Sequence, residues 1–286
     1  MFNQFLNDGD AMRNEAGCLM AHTGVGGQLR EVPGRGILIV NADDWGRNRH
    51  TTDRTFDCVR RGAVSSVSAM VFMEDSERAA TVAREYAVDT GLHLNLTTPF
   101  QAANCPTKLR ERQGEIARHL LRHRFAQVVF HPGLIEAFRY VVRAQFDEFS
   151  RLYGHGPSRL DGHHHMHLSA NVLIQGLLPP NTIVRRSFSF ESGEKSIWNR
   201  YYRRAIDSVL SRHHRMSDYF FSLSPLDPLS RLNRIFSLAH EWAVEVEAHP
   251  VKDDEYRFLT EDGIARIVNS LAARSLSAIS LRGRSL

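Results

Sequence analysis

Short, uninterrupted runs of apolar and β-branched residues recur along this chain, separated by segments with helical periodicity, and this alternation restricts the fold more than any other feature. The first run is "ILIV" from Ile37, a segment of the kind buried on both faces of a parallel sheet. "VSAMVF", "GLHLNL", "QVVF", "SRLDG", "TIVRR", "VEVEA" and "LSAISL" follow it. The clearest helical pattern runs from Leu134 to Tyr153, where Leu134, Phe138, Val142, Phe149 and Leu152 recur at helical spacing and Gly154 supplies a stop. Strands alternating with helices predict an α/β fold with a parallel sheet, either a (β/α) barrel or an open doubly wound sheet. With 286 residues and 42% hydrophobic content the chain can fill one barrel-sized core, and no linker or internal repeat divides it.

Residues 1–35 lack periodicity and are rich in Gly, Asn and Asp, which predicts a flexible N-terminal leader. Its "GVGG" is not followed by Gly-Lys-Ser/Thr and is no phosphate loop. No apolar run approaches the roughly 20 residues needed to span a bilayer, and the leader carries acids where a signal peptide has basic residues. The expected location is therefore cytoplasmic. Cys18, Cys58 and Cys105 are far apart and form no CxxC pair, so any metal would be held by nitrogen and oxygen. A net charge of +4 and a pI near 9.1 suit an anionic partner without specifying one. The basic residues are dispersed and no recognition motif occurs, so nucleic acid is not an expected partner.

In parallel α/β folds the reactive groups gather at the C-terminal ends of the strands. After "ILIV" come Asn41, Asp43, Asp44 and Trp45, the third run carries His93 and Asn95, and "SRLDG" leads into Asp161, His163, His165 and His167. "VEVEA" is followed by His249 and Pro250. Adjacent buried aspartates repel and require a cation or a proton to compensate them. The alternation in "GLHLNL" puts His93 and Asn95 on the face opposite Leu92 and Leu94. The same period in "HHHMH" sends His163, His165 and His167 to one side if the strand continues that far. One carboxylate and two imidazoles make a common site for a divalent cation, zinc, magnesium or manganese, with positions open for water and substrate. Asp44, His93 and His163 are the candidate ligands and Asp43 the candidate base, with His249 the candidate proton donor. Asn41, Trp45, Asn95, Asp161, His165 and His167 are expected to orient ligands or line the cleft, Asp161 by holding an imidazole.

The ordered segments "ILIVNADDWG", "GAVSSVSAMV", "GLHLNLT", "AQFDEF", "RLDGHHHMH" and "AHP" resemble the YdjC-like carbohydrate deacetylases, the family of chitooligosaccharide deacetylase, which includes hopanoid-associated members. The resemblance implies a (β/α) barrel-like single domain, here residues 36–286 and seven or eight strands. It also implies removal of an acetyl group from an N-acetylated saccharide with a divalent cation. The family's metal aspartate and histidines fall on Asp44, His93 and His163, its proposed base on Asp43 and its proposed acid on His249. Trp45 stands where Phe is usual, Arg159 where His is frequent, and Val251 where Gly commonly follows His-Pro.

Residues 196–215 read as an amphipathic helix. Trp198, Tyr201, Ile206, Val209 and Leu210 form one stripe and Arg200, Arg203, Arg204, Arg212 and Arg215 the remainder. A solvated basic face is the plain reading, and contact with a membrane surface or a lipid-linked sugar is the sharper one. A homodimer is a further expectation. Two other functions fit the same residues: a phosphoesterase or amidohydrolase, which would need bridging ligands for a second metal, and a metal- or sugar-binding protein without turnover.

Overall fold

The computed structural model describes residues 36–123, 125–189, 197–261 and 263–264. The expected leader and the "LSAISL" strand lie outside the described residues. The elements run β1 (Ile37–Trp45), α1 (Arg49–Arg60), β2 (Ser66–Ala69), α2 (Ser76–Glu85), β3 (Thr90–Leu94), α3 (Thr107–Leu120), α4 (Ile135–Tyr153), β4 (Arg159–Gly162), α5 (Ala170–Ile174), β5 (Ile183–Val184), α6 (Ile197–Leu210), β6 (Tyr219–Ser222), α7 (Leu229–Leu238), β7 (Ala243–Ala248) and α8 (Asp253–Thr260).

Seven strands form one sheet in the order β5-β4-β3-β2-β1-β7-β6, and each neighbouring pair is parallel. The sheet curls until its edges approach. Ile183 bridges Arg215, and the Val184 N–H donates to the Arg215 carbonyl at 2.9 Å. The result is the α/β barrel-like domain expected of the alternating runs. Its central strands are buried on both faces, as continuous apolar runs require, with Val40, Ala42, Val67, Leu92, Leu94, Val244 and Val246 in the core.

Local signals place the helices. Asn48 Oδ1 accepts the Thr51 N–H at 2.9 Å and caps α1. α4 follows a short 3₁₀ turn at Pro132–Leu134 and stops at Gly154, whose φ of 80° is the left-handed conformation that favours glycine.

One strand expectation fails, and one strand was not expected. "QVVF" lies in the connection between α3 and α4, where Ala126–Val128 form a 3₁₀ turn. Val128 and Val129 are exposed, so β-branched composition there meets no neighbouring strand. β6, which pairs with β7, comes instead from "YFFS", a run too short to show a period. Within the segment 196–215 a helix forms over Ile197–Leu210, residues 211–215 turn back to the bridge with Ile183, and the helix is tied to the barrel by polar groups. Asp207 accepts from the Arg186 guanidinium at 2.8 Å and from the Ser187 N–H at 3.0 Å. Leu210 is buried, while Tyr201, Tyr202 and Val209 face solvent.

One buried side chain locks the exit of β3. Gln145, on α4, accepts the Asn95 N–H at 2.8 Å and donates to the Asn95 carbonyl at 3.0 Å. Gln145→Met preserves the length of the side chain and leaves both backbone groups without partners. A loss of about 1–3 kcal/mol in urea unfolding is expected, with secondary structure retained.

Candidate metal centre

The centre begins with a fault in β1. Successive side chains of a regular strand point to opposite faces, so Asp43 and Asp44 would part. β1 instead shifts register against β2 between Ala42 and Trp45, and Asp44 takes a φ of 65°. A bulge with a left-handed residue bends the strand and re-aims its side chains. Both carboxylates are buried at the end of the sheet as a result. Asp44 Oδ1 lies 2.9 Å from His163 Nδ1 and 3.4 Å from His93 Nε2, and Arg47 donates to Asp44 Oδ2 at 3.0 Å.

The ladder supplies the second candidate ligand. His93 stands opposite Asp161 in the β3–β4 pairing, and its Nδ1 is 2.7 Å from Asp161 Oδ1. That bond fixes the ring and leaves Nε2 facing Asp44, the carboxylate–imidazole arrangement that orients metal-binding histidines. Ser68 Oγ donates to the other Asp161 oxygen at 2.7 Å.

The third candidate ligand is presented differently from the expected strand continuation. Beyond Gly162 the chain turns into a 3₁₀ segment, His163–Leu168, with His164 and His165 in the left-handed region at φ 56° and 57°. The histidines therefore do not share one side. His163 meets Asp44, His165 Nε2 lies 3.7 Å from Glu247, and His167 Nε2 lies 3.0 Å from the Arg185 carbonyl. His164, exposed at the rim, has its Nδ1 3.0 Å from the buried Thr97 hydroxyl.

Asp44, His93 and His163 each offer a donor atom, and these atoms lie within 4.8 Å of one another. Asp44 Oδ1 and His163 Nε2 are buried without a partner in hydrogen-bond geometry, although such atoms are normally satisfied. A nitrogen and oxygen donor set with orphaned atoms fits a divalent cation. Burial would raise the Asp44 carboxyl, but His163 and His93 hold it well below the usual carboxylate range. Burial would lower His93, but Asp161 and Asp43 push its imidazole well above the usual range.

Asp43 stands beside this set, its Oδ2 4.0 Å from His93 Nδ1, and is held by other partners. Arg185 donates to its Oδ2 at 2.7 Å and its Oδ1 at 2.8 Å, and Asn41 Nδ2 adds a bond to Oδ1 at 2.8 Å. Asn41 also bonds Ser66 and Ser68, so it braces β1 against β2. Trp45 is 0% exposed and belongs to the core. Asn95 is equally buried and spends its amide on the turn, accepting from Thr97 and Thr98 N–H and donating to the Thr98 carbonyl. His249 follows β7 with Nδ1 buried and without a hydrogen bond, and its own N–H donates to Glu255 Oε2 at 2.6 Å.

Sequence reasoning missed Arg185, Glu245, Glu247 and Glu255. Arg185 follows a recognised run, "TIVRR", and the rule that singled out the other strand ends would have found it. Glu245 and Glu247 alternate with valines in "VEVEA", but alternation alone does not say which face is the barrel interior. Burial pushes the Glu247 carboxyl well above the usual range, helped by Asp43, and burial raises Glu245 as well. Burial and Arg185 together push His165 down to about 3, and burial takes His167 to about 4, so both imidazoles are neutral near pH 7.

The profile of the YdjC-like protein family matches residues 37–270. The chain belongs to the YdjC-like family. Its similarity to YdjC-like relatives includes 32% identity over 137 residues to a chitooligosaccharide deacetylase of Yersinia pestis (strain Pestoides F), covering 48% of this chain and 52% of that protein. A chitooligosaccharide deacetylase of Serratia marcescens is 31% identical over the same shares. The match thus spans about half the length of these curated relatives. A solved structure from Enterococcus faecalis V583, of a proposed cellobiose-phosphate cleavage protein, aligns with a TM-score of 0.56 and 18% identity over 82% of this chain and 94% of that one. That likeness concerns the fold alone.

The turn that carries His163 depends on Gly162 in this YdjC-like chain. A Cβ there would lie 2.9 Å from the His167 backbone nitrogen and 3.0 Å from its Cβ. Gly162→Ala is expected to displace the 3₁₀ segment and to cost about 1–3 kcal/mol of stability. Chemical denaturation measures the loss, and a shift of the His163 and His167 ring resonances in NMR spectra reports the displacement.

Proposed function

We propose that this protein is a divalent-metal-dependent deacetylase that hydrolyses the acetamide of an N-acetylated saccharide. The observation carrying this reading is the convergence of Asp44, His93 and His163 within 4.8 Å, with Asp44 Oδ1 and His163 Nε2 orphaned in a buried site. The family and the names of the chitooligosaccharide deacetylase relatives support the substrate class.

A cation held by Asp44, His93 and His163 would polarise the acetamide carbonyl and acidify a bound water. The remaining steps belong to side chains. Asp43 serves as the base. A carboxylate has about four acceptor positions, and Arg185 and Asn41 take up both of those on Oδ1 and one on Oδ2, so Oδ2 keeps a position for the water proton. His249 donates to the departing amine, with its loop held by the buried Glu255 carboxylate, which bonds Ser224 Oγ, the His249 N–H and Lys252 Nζ. Asp161 keeps His93 oriented throughout. Among the described residues no helix is long and apolar enough to cross a membrane. α6 does present Tyr201, Tyr202 and Arg204 to solvent, so lipid-linked N-acetylhexosamines belong among the test substrates.

The test is acetate release from diacetylchitobiose and from nucleotide- and lipid-linked N-acetylhexosamines, using protein stripped of metal and refilled with zinc, magnesium or manganese. Metal-dependent release is expected from at least one. Asp44→Ala, His93→Ala and His163→Ala should lose cation and turnover together, whereas Asp43→Asn should keep the cation and lose about 100-fold or more in kcat. Equal metal affinity in all four variants would overturn the ligand assignment. A chain that holds one cation and releases no acetate would instead be a binding protein.

A further inference from the structure

A second group of donor atoms adjoins the first. Asp43, His93 and Asp161 offer atoms that also lie within 4.8 Å of one another, and Glu245 and Glu247 stand beside them on β7. By donor chemistry alone this would be the other half of a two-metal centre, the arrangement in which cations about 3.5–4 Å apart clamp a substrate. The space is occupied by a side chain. Arg185 is 3% exposed, and every nitrogen of its guanidinium faces a carboxylate. NH1 is 2.7 Å from Asp43 Oδ2 and 3.4 Å from Glu247 Oε2, NH2 is 2.8 Å from Asp43 Oδ1 and 2.7 Å from Asp161 Oδ2, and Nε is 2.6 Å from Glu245 Oε1.

We propose that Arg185 is the built-in second cation of this centre: its guanidinium fills the position that a second metal ion would take among Asp43, Asp161, Glu245 and Glu247, keeps the site mononuclear, and positions Asp43.

A permanent charge with a planar fork of donors suits this task. Arginine cannot lose its proton in a protein, and it bonds a carboxylate through both oxygens. An exchangeable metal would pull Asp43 into its coordination sphere. The fixed guanidinium instead holds both Asp43 oxygens while leaving an acceptor position on Oδ2. The shared imidazole enforces the same division, because His93 Nδ1 is committed to Asp161 at 2.7 Å and only Nε2 faces Asp44. Residues are tied in by the backbone as well, since the Arg185 carbonyl lies 3.0 Å from His167 Nε2 at the end of the turn that presents His163. Arg185 is thus a positioning residue. The inference rests on the proposed metal centre, but its principal readout does not require the deacetylation reaction.

The experiment counts tightly held manganese per chain by equilibrium dialysis of metal-stripped protein, with acetate release measured alongside. The parent is expected to hold one ion. Arg185→Ala, which opens the space and strips the carboxylates of their counter-charge, is expected to hold two, and free guanidinium at sub-denaturing concentration should displace one of them. Arg185→Lys retains a charge but not the fork, so it should hold one ion and lose at least about 10-fold in kcat with KM within about 2-fold. Soluble Arg185→Ala that binds one ion with parental affinity overturns the proposal. If Arg185→Ala does not fold, Arg185→Lys decides, and an unchanged kcat overturns it. A parent that holds no manganese removes the metal centre and this inference together. A parent that holds one ion without releasing acetate sinks the deacetylase reading alone.

Discussion

The centre depends on a buried charge balance. Asp43, Asp161, Glu245 and Glu247 are collected from β1, β4 and β7 around the Arg185 guanidinium that follows β5. Such a cluster is costly to bury, because each charge gives up its hydration, and removing one partner from a buried pair typically costs about 3–5 kcal/mol. The compensation lies in satisfied bonds: each guanidinium nitrogen meets a carboxylate at 2.6–2.8 Å. Burial raises Glu245 and Glu247, which eases the excess of negative charge over the single arginine. Because the partners come from separate strands, the cluster also fastens the curl of the sheet on which the candidate ligands sit.

Two departures from regular backbone turn that sheet into a site. The bulge at Asp44 brings adjacent aspartates to one end of β1 and gives them different surroundings. Asp44 faces imidazoles, and Asp43 faces a guanidinium. The left-handed pair His164 and His165 breaks the strand after Gly162 and distributes the histidines among a candidate ligand position, the rim and the barrel interior. Residues outside glycine seldom adopt this region, and they do so where surrounding contacts over-determine them. Here the contacts are the Thr97 hydroxyl on His164 and the Arg185 carbonyl on His167.

Much of this was legible in the chain. Continuous apolar runs announced parallel strands because a strand buried on both faces needs apolar residues throughout, and the polar residues after those runs named Asp44, His93 and His163. The failures have physical causes. "QVVF" has strand composition, but strands are made by neighbours and this run has none. Trp45 and Asn95 sit within motifs that resemble the family's, yet one fills the core and the other shapes a turn. The period-two reading of "HHHMH" assumed extended backbone, which ends at Gly162.

Sequence by itself determined the class of fold, the order of its elements and the kinds of atom available to a cation, because periodicity and side-chain chemistry are local properties. Tertiary structure alone decided how those atoms divide. Arg185 stands 142 positions from Asp43 and 24 from Asp161, and only the closing of parallel strands into a curled sheet brings them together. Which carboxylates face an imidazole and which face an arginine is therefore a property of the assembled barrel, since electrostatic partners are set by distance in space rather than by spacing along the chain.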